Sequence, residues 1–131
     1  MLTVYGEGRG FRVVWLLEEL GLVYRLRPVD LFAVEHDRDF LAINPAGFIP
    51  VLQDGETIMV ESVAILQYLL ARHDSASLAV APDEPAFAAY LQFLHLGEAG
   101  LAGPMNGVIV GRNLAPEAER DVRVTRWALE T

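Results

Sequence analysis

The 131-residue sequence contains no cysteine. A chain without cysteine forms no disulfide, has no thiolate nucleophile of its own and cannot build a thiolate metal site. Its three histidines (His36, His73 and His95) lie far apart and lack the spacing of metal ligands, so we predict no metal site. The absence of disulfides fits a reducing compartment, and we expect a cytoplasmic protein.

Long apolar runs and an excess of positive charge are also missing. No stretch approaches the roughly 20 uninterrupted apolar residues of a membrane helix, and the pattern of a signal peptide is absent. With 18 acidic residues against 10 basic ones, the formal net charge is −8. Because nucleic acids and anionic membranes are bound by clustered Lys and Arg, we expect a soluble protein with neither of these partners.

Apolar residues are abundant enough for a packed core. Hydrophobic residues make up 53% of the chain and charged residues 21%, a composition typical of folded proteins. The length allows one domain of ordinary size, or one small domain and part of another.

The first part of the chain alternates between strand and helix patterns. The predicted elements are a strand at 2–5, a helix at 11–20, a strand at 23–29, a weaker helix at 35–43, strands at 48–53 and 57–60, and a helix at 62–72. The opening strand, helix and strand imply two parallel strands. Asp54-Gly55 predicts a hairpin, since both residues tolerate positive φ. The order βαβ-α-ββ-α is that of a thioredoxin-like α/β domain.

The rest of the chain is predicted to be helical after a linker. We place the first domain at residues 1–75, the linker at 76–85, and an incomplete all-α segment at 86–131. A helix over 87–113 should bend or break near Gly103-Pro104. A last helix should start at Pro116, because proline is favoured in a first helical turn.

The segment Phe48-Ile49-Pro50-Val51 is a first candidate for ligand binding. Proline is tolerated at the entrance to a strand, where its missing N–H costs little. A cis bond before Pro50 would turn the backbone N–H and C=O of Ile49 toward a cleft, where an extended peptide could pair with them. An ordinary trans proline at a strand entrance is the alternative.

Glu61-Ser62 is a second candidate. Serine is a preferred N-cap residue, so a simple helix start is one interpretation. However, Ile65 stands where a capping box would place Glu or Gln. A helix N-terminus with a hydroxyl suits a carboxylate, and Glu61 could pair with an ammonium group. Together they would suit an α-amino acid head group.

Three segments resemble the cytosolic glutathione transferase family. "FRVVWLLEELGLVY" (11–24) resembles the first helix of the family and the entry to its second strand, "NPAGFIPVL" (44–52) its Asn-Pro-x-Gly-x-x-Pro-Val-Leu segment, and "ESVAIL" (61–66) its Glu-Ser-x-Ala-Ile-Leu motif. The resemblance covers residues 1 to about 75 and, more weakly, residues 83–131, which resemble the first helices of the family's second domain.

The resemblance implies specific contacts with glutathione. Pro50 would be cis, and the backbone of Ile49 would pair with the cysteinyl part of glutathione. Glu61 and Ser62 would hold its γ-glutamyl group. The family often has a basic residue at the position of Phe48, near the glycyl end, so an apolar residue there removes one possible carboxylate partner.

The residue that activates the thiol departs from the family pattern. If "GRGFR" (8–12) aligns with the serine-type Ser-Arg-x-Phe-Arg pattern, the serine position is Gly8 and the hydroxyl is absent. Tyr5 matches the place of the tyrosine in tyrosine-type members, but it could equally close the core at the end of the strand. Arg9 could add positive potential beside a thiolate or face water.

The resemblance implies a detoxifying transferase that joins glutathione, as co-substrate, to a small hydrophobic electrophile. A homodimer is expected, because dimers are usual in the family and apolar residues of the helical segment need a partner. Those residues are Val108, Ile109, Val110, Val122, Val124, Trp127 and Leu129. The alternative is a non-catalytic scaffold with the same fold, which Gly8 and the incomplete helical domain would fit.

Overall fold

The computed structural model describes residues 1–73, 78–111, 116–117, 120 and 122–130, apart from the side chains of Arg9 and of residues 122–124. The chain divides into two compact units, Met1–Ala79 and Val80–Thr131. Within the described residues, no helix is long and apolar enough to cross a membrane.

The first unit is a four-stranded mixed sheet with three helices. Its elements are β1 (Leu2–Tyr5), α1 (Phe11–Glu19), β2 (Tyr24–Arg27), α2 (Arg38–Ile43), β3 (Val51–Asp54), β4 (Thr57–Met59) and α3 (Ser62–His73), with short 3-10 helices at Gly8–Gly10 and Val34–His36. The strand order is β2-β1-β3-β4. β1 runs parallel to β2 and antiparallel to β3, and β3 runs antiparallel to β4. The predicted thioredoxin-like fold is confirmed.

Three element boundaries differ from the prediction by more than one residue, each for a local reason. β2 ends at Arg27, before Pro28, which cannot donate to a ladder. β3 begins at Val51 and not at residue 48, because the pairing with β1 starts there, after Pro50. α2 begins only at Arg38, where the carboxylate of Asp37 accepts a hydrogen bond from the Phe40 N–H (3.0 Å).

Alternation along β1 divides the core into two clusters, one on each face of the sheet. Leu2 and Val4 belong to the larger cluster, which α1 and α3 cover. Its buried members are Leu2, Val4, Val13, Leu17, Leu20, Leu52, Ile65 and Leu69. Tyr5 belongs to the smaller cluster, with Phe40 of α2 and Val51 of β3. Consecutive residues of β1 therefore face different helices.

One ion pair ties α2 to the sheet. The guanidinium of Arg27 at the end of β2 donates two hydrogen bonds to the Asp37 carboxylate, at 2.5 and 2.7 Å. These bonds, and then the bond from the Phe40 N–H, hold the pKa of Asp37 below its ordinary value. The same carboxylate thus caps α2 and anchors it.

The second unit is helical. Its described helices are α4 (Phe87–His95), a π-helical stretch (Leu96–Gly100), α5 (Ala102–Ile109) and α6 (Val122–Glu130). The α-helix is interrupted over Leu96–Gly100 and resumes at Ala102, so the break lies just before Gly103-Pro104, near the predicted place. Pro104 sits in the first turn of α5, where its missing N–H costs no helical bond. Pro116 and Arg120 lie outside α-helix, so the last helix does not start at Pro116. The linker prediction (76–85) falls partly on residues 74–77, outside the described residues.

We predict that Asp37→Asn destabilises the first unit near neutral pH, because asparagine keeps the helix cap but loses the charge that Arg27 binds. A carboxyl whose folded pKa is lowered stabilises the protein above its unfolded pKa of about 3.9. That stabilisation disappears as pH falls through the folded pKa. Urea unfolding should therefore show a wild-type advantage at pH 7 that shrinks below about pH 4.

The control is Glu56→Gln, which neutralises an exposed carboxylate in the hairpin turn. It should change stability little at either pH. A difference between wild type and Asp37→Asn that stays constant with pH would contradict the role of the ion pair.

Candidate functional site

Four chain segments meet at the edge of the sheet where β1 ends. Tyr5, the last residue of β1, pairs with Arg27 of β2 and with Val51 of β3. Because β3 is antiparallel to β1, the segment that leads into Val51 lies beside the loop that leaves Tyr5. Met59 of β4 pairs with Leu52, so the start of α3 follows at the same edge. The sheet topology therefore brings together the two segments proposed to bind a ligand.

The Ile49–Pro50 segment is fixed from two sides. The Ile49–Pro50 peptide is cis, as expected. Asn44, which is only 7% exposed, donates through Nδ2 to the carbonyl of Phe48 at 2.8 Å. On the other side, a Cβ on Gly6 would lie 2.3 Å from Cγ2 of Ile49. The Ile49 side chain thus packs directly on the backbone of the loop after β1.

Phe48 lies at the outside of this segment, with 75% of its surface exposed. Its backbone is held through Asn44, whereas its side chain offers an apolar ring to solvent at the position where the family often has a cation. The structure therefore places Phe48 beside the site without giving it a polar role.

Glu61 and Ser62 form the start of α3. The Glu61 carbonyl accepts the first helical hydrogen bond, from the Ile65 N–H at 2.9 Å. Glu61, not Ser62, therefore occupies the N-cap position, which corrects the simple-cap interpretation of Ser62. Glu61 has a φ of 69°, a left-handed conformation that is rare outside glycine and is found where surrounding structure enforces it. Ser62 is 6% exposed.

Ser62 is bonded to a residue that the sequence analysis missed. Nη1 of Arg12, in the first turn of α1, donates to the Ser62 hydroxyl oxygen at 3.1 Å. A cation in the first turn of a helix opposes the helix dipole, and this anomaly was the available signal. Asn44 was also missed as a residue that fixes the site, because an Asn before Pro45 indicates a helix end. A buried amide in a loop needs a partner, and here it has one.

Gly8 and Arg9 lie in the 3-10 helix that leads into α1. Gly8 has a φ of +39°, and a Cβ there would lie 3.6 Å from Cδ1 of Ile49, an ordinary contact. Gly8 therefore lies next to Ile49, and its match to the family serine position stays a prediction. The side chain of Arg9 lies outside the described residues, so its proposed role stays a prediction.

Tyr5 is not brought to this site. It is 8% exposed, its ring stacks on Phe40 with centroids 6.0 Å apart, and its hydroxyl donates to Oε1 of Gln53 at 2.7 Å. It lies on the α2 face of the sheet, whereas Arg12 and Ser62 belong to the helices on the other face. These contacts fit the alternative of a core role, because strand alternation points the side chain to the α2 face. A role of Tyr5 at a thiolate stays a prediction.

The family model for the glutathione S-transferase N-terminal domain matches residues 10–77, just over half of the chain. The chain belongs to the glutathione S-transferase family. It is 34% identical over 128 residues to glutathione S-transferase GstB of Escherichia coli, which covers 92% of this chain and 61% of that protein. It is 42% identical over 72 residues to glutathione S-transferase 3 of Zea mays.

Solved transferase structures share the fold. A theta class glutathione S-transferase from Xanthomonas axonopodis pv. citri, with glutathione bound, matches with a TM-score of 0.80 at 29% identity, covering 98% of this chain and 63% of that one. A glutathione transferase from Phanerochaete chrysosporium, in complex with oxidized glutathione, matches with a TM-score of 0.84 at 29% identity, covering 98% and 61%. The chain thus spans about three-fifths of the length of these transferases.

We predict that Gly6→Ala destabilises the protein more than Gly55→Ala. Both glycines have positive φ (90° and 61°), so both changes carry a conformational cost of roughly 1–2 kcal/mol. Only Gly6 would place its Cβ against Ile49, whereas a Cβ on Gly55 meets nothing within 4 Å. Overpacking should add about 1–3 kcal/mol for Gly6→Ala in chemical denaturation.

Adding Ile49→Ala to Gly6→Ala should recover part of that difference, because it removes two of the three clashing atoms, Cγ2 and Cδ1, and leaves only Cβ at 2.5 Å. Equal destabilisation by the two glycine substitutions would show that Ile49 moves aside without a measurable loss in the free energy of unfolding.

Proposed function

We propose that the chain binds glutathione through residues 1–75 and conjugates it, through its thiolate, to a small hydrophobic electrophile. One observation carries the proposal: the Ile49 segment and the start of α3 converge at the same edge of the sheet. Solved relatives at 29% identity that match along 98% of the chain contain glutathione or oxidized glutathione, which supports the choice of ligand.

The two parts of the site suit different parts of the tripeptide. At the start of α3, the hydroxyl of Ser62 and the first N–H groups of the helix would hold the γ-glutamyl carboxylate. The carboxylate of Glu61 would pair with the γ-glutamyl ammonium. The pairing of β3 with β1 begins at Val51, so the backbone of Ile49, which precedes the ladder, would pair with the cysteinyl unit as an added strand.

This placement puts the sulfur near the loop that contains Gly8. In the transfer, the thiolate attacks the electrophilic carbon, a C–S bond forms, and the leaving group departs with the electron pair of its bond. The nucleophile exists only if the thiol pKa is lowered toward neutrality. Gly8 supplies no hydroxyl. The N–H groups of Gly10 and Phe11 donate to the carbonyls of Glu7 and Gly8, so backbone N–H groups at the start of the 3-10 helix would have to stabilise the sulfur.

We further propose a cytoplasmic homodimer with a role in detoxification. Exposed apolar side chains in the second unit support an assembly, among them Ile109, Val110, Trp127 and Leu129. Family members form dimers with this fold, and the sequence contains no cysteine, which fits a reducing compartment.

We expect Ser62→Ala to weaken glutathione binding, measured by titration calorimetry. Losing a hydrogen bond to a charged group should cost about 1.5–3 kcal/mol, or roughly tenfold or more in affinity. Tyr5→Phe is the matched control, because it also removes one hydroxyl but on the other face of the sheet. It should leave the affinity, and turnover of an activated aryl chloride, unchanged.

An affinity that Ser62→Ala leaves intact would overturn the proposed γ-glutamyl contact. Binding without turnover by the wild type would favour the non-catalytic scaffold.

We expect Gly8→Ser to lower the pKa of bound glutathione relative to Gly8→Ala. The two variants share the cost of a Cβ at positive φ, and the space for that Cβ is available. Only serine adds a hydrogen-bond donor to the thiolate, and this bond should lower the pKa of the glutathione thiol by roughly one unit. The ultraviolet absorbance of the thiolate, followed against pH, measures this. Identical titration curves for the two variants would show that Gly8 does not face the sulfur.

A further inference from the structure

Arg12 joins the two helices that begin at the site. It lies in the first turn of α1, half-buried, and its Nη1 reaches the hydroxyl oxygen of Ser62, the first residue of α3, at 3.1 Å. The two residues are 50 positions apart in sequence. This contact therefore depends on the packing of α1 against α3 and not on local structure.

The position of Arg12 is electrostatically unfavourable for the helices themselves. Both α1 and α3 begin at this edge, and a helix N-terminus carries partial positive charge. A cation there does not stabilise either helix, but it adds to the attraction for an anion that both helix ends already exert.

We propose that Arg12 is a positioning residue that orients the Ser62 hydroxyl toward the γ-glutamyl carboxylate of glutathione. A guanidinium can only donate hydrogen bonds, so Ser62 must be the acceptor in this pair. The single hydroxyl proton of Ser62 is then left for another acceptor. This inference rests on the proposed function, since the acceptor is the carboxylate of the bound tripeptide.

A comparison of two ligands distinguishes this role from a general contribution to packing. If Arg12 acts through Ser62, its removal harms only ligands that carry the α-carboxylate. The probe is γ-aminobutyryl-cysteinyl-glycine, which keeps the rest of glutathione but lacks that carboxylate. A residue that merely holds α1 and α3 together would affect both ligands alike.

The experiment is titration calorimetry of the full chain with both ligands. Arg12→Met should weaken glutathione binding tenfold or more and change the affinity for the analogue less than twofold. Arg12→Lys, which keeps a donor and the charge, should restore part of the loss. In the double variant Arg12→Met/Ser62→Ala, the fold-loss in glutathione affinity should be clearly smaller than the product of the fold-losses of the two single variants. Arg25→Met, which removes an exposed guanidinium from β2, is the charge-matched control and should bind glutathione as the wild type does.

Each outcome decides between defined alternatives. Equal losses for both ligands, or independent effects of Arg12→Met and Ser62→Ala, would overturn the positioning role. Wild-type protein that binds no glutathione would instead overturn the proposed function, and this inference with it. If Arg12→Met fails to fold by circular dichroism, the comparison of the two ligands with Arg12→Lys decides, since a displaced ammonium should still affect glutathione more than the analogue.

Discussion

The register of β3 against β1 is the constraint on which the site depends. Pairing Val51 with Tyr5 places the end of one strand beside the beginning of the other. The loop after β1 and the segment before β3 therefore contact each other, and the Ile49 side chain lies on Gly6. The short hairpin from β3 to β4 then returns the chain to the same edge, where α3 begins. A slip of one residue would turn every side chain of β3 to the other face and separate these parts.

The same alternation decides which residues of β1 can take part. Val4 faces α1 and α3, whereas Tyr5 faces α2, where its ring and hydroxyl are both engaged. The hydroxyl is therefore satisfied within the core cluster and not directed to the edge. On the site face, the polar groups come from helix starts: Arg12 from α1 and Ser62 from α3. In the proposed site, helix N-termini and loops would contact the ligand, while the strands position them.

Much of this could be predicted from sequence, because the signals are local. Periodicity gave the order of the elements, and Asp54-Gly55 marked the hairpin between β3 and β4. The quoted motifs also selected Ile49 and Ser62 as site residues. The Arg12–Ser62 contact could not be predicted, because it joins positions 50 residues apart and depends on how two helices pack. The π-helical stretch before α5 was missed for a different reason, since Gly103-Pro104 is the stronger helix-breaking signal but falls in a first turn that tolerates proline.

The two glycines near Ile49 are under different constraints, and the difference bears on activity. Gly6 cannot carry a side chain, because Ile49 occupies the space of its Cβ. Gly8 has room for one, and only its left-handed φ of +39° disfavours other residues. The missing hydroxyl is therefore not imposed by packing against Ile49. The left-handed conformation of the loop is what disfavours a serine there. Backbone N–H groups can stabilise an anion without any side chain, and at this loop they would have to come from the start of the 3-10 helix, because those of Gly10 and Phe11 donate to Glu7 and Gly8. In that arrangement, backbone donors of the same turn would take the place of the serine hydroxyl that its conformation disfavours.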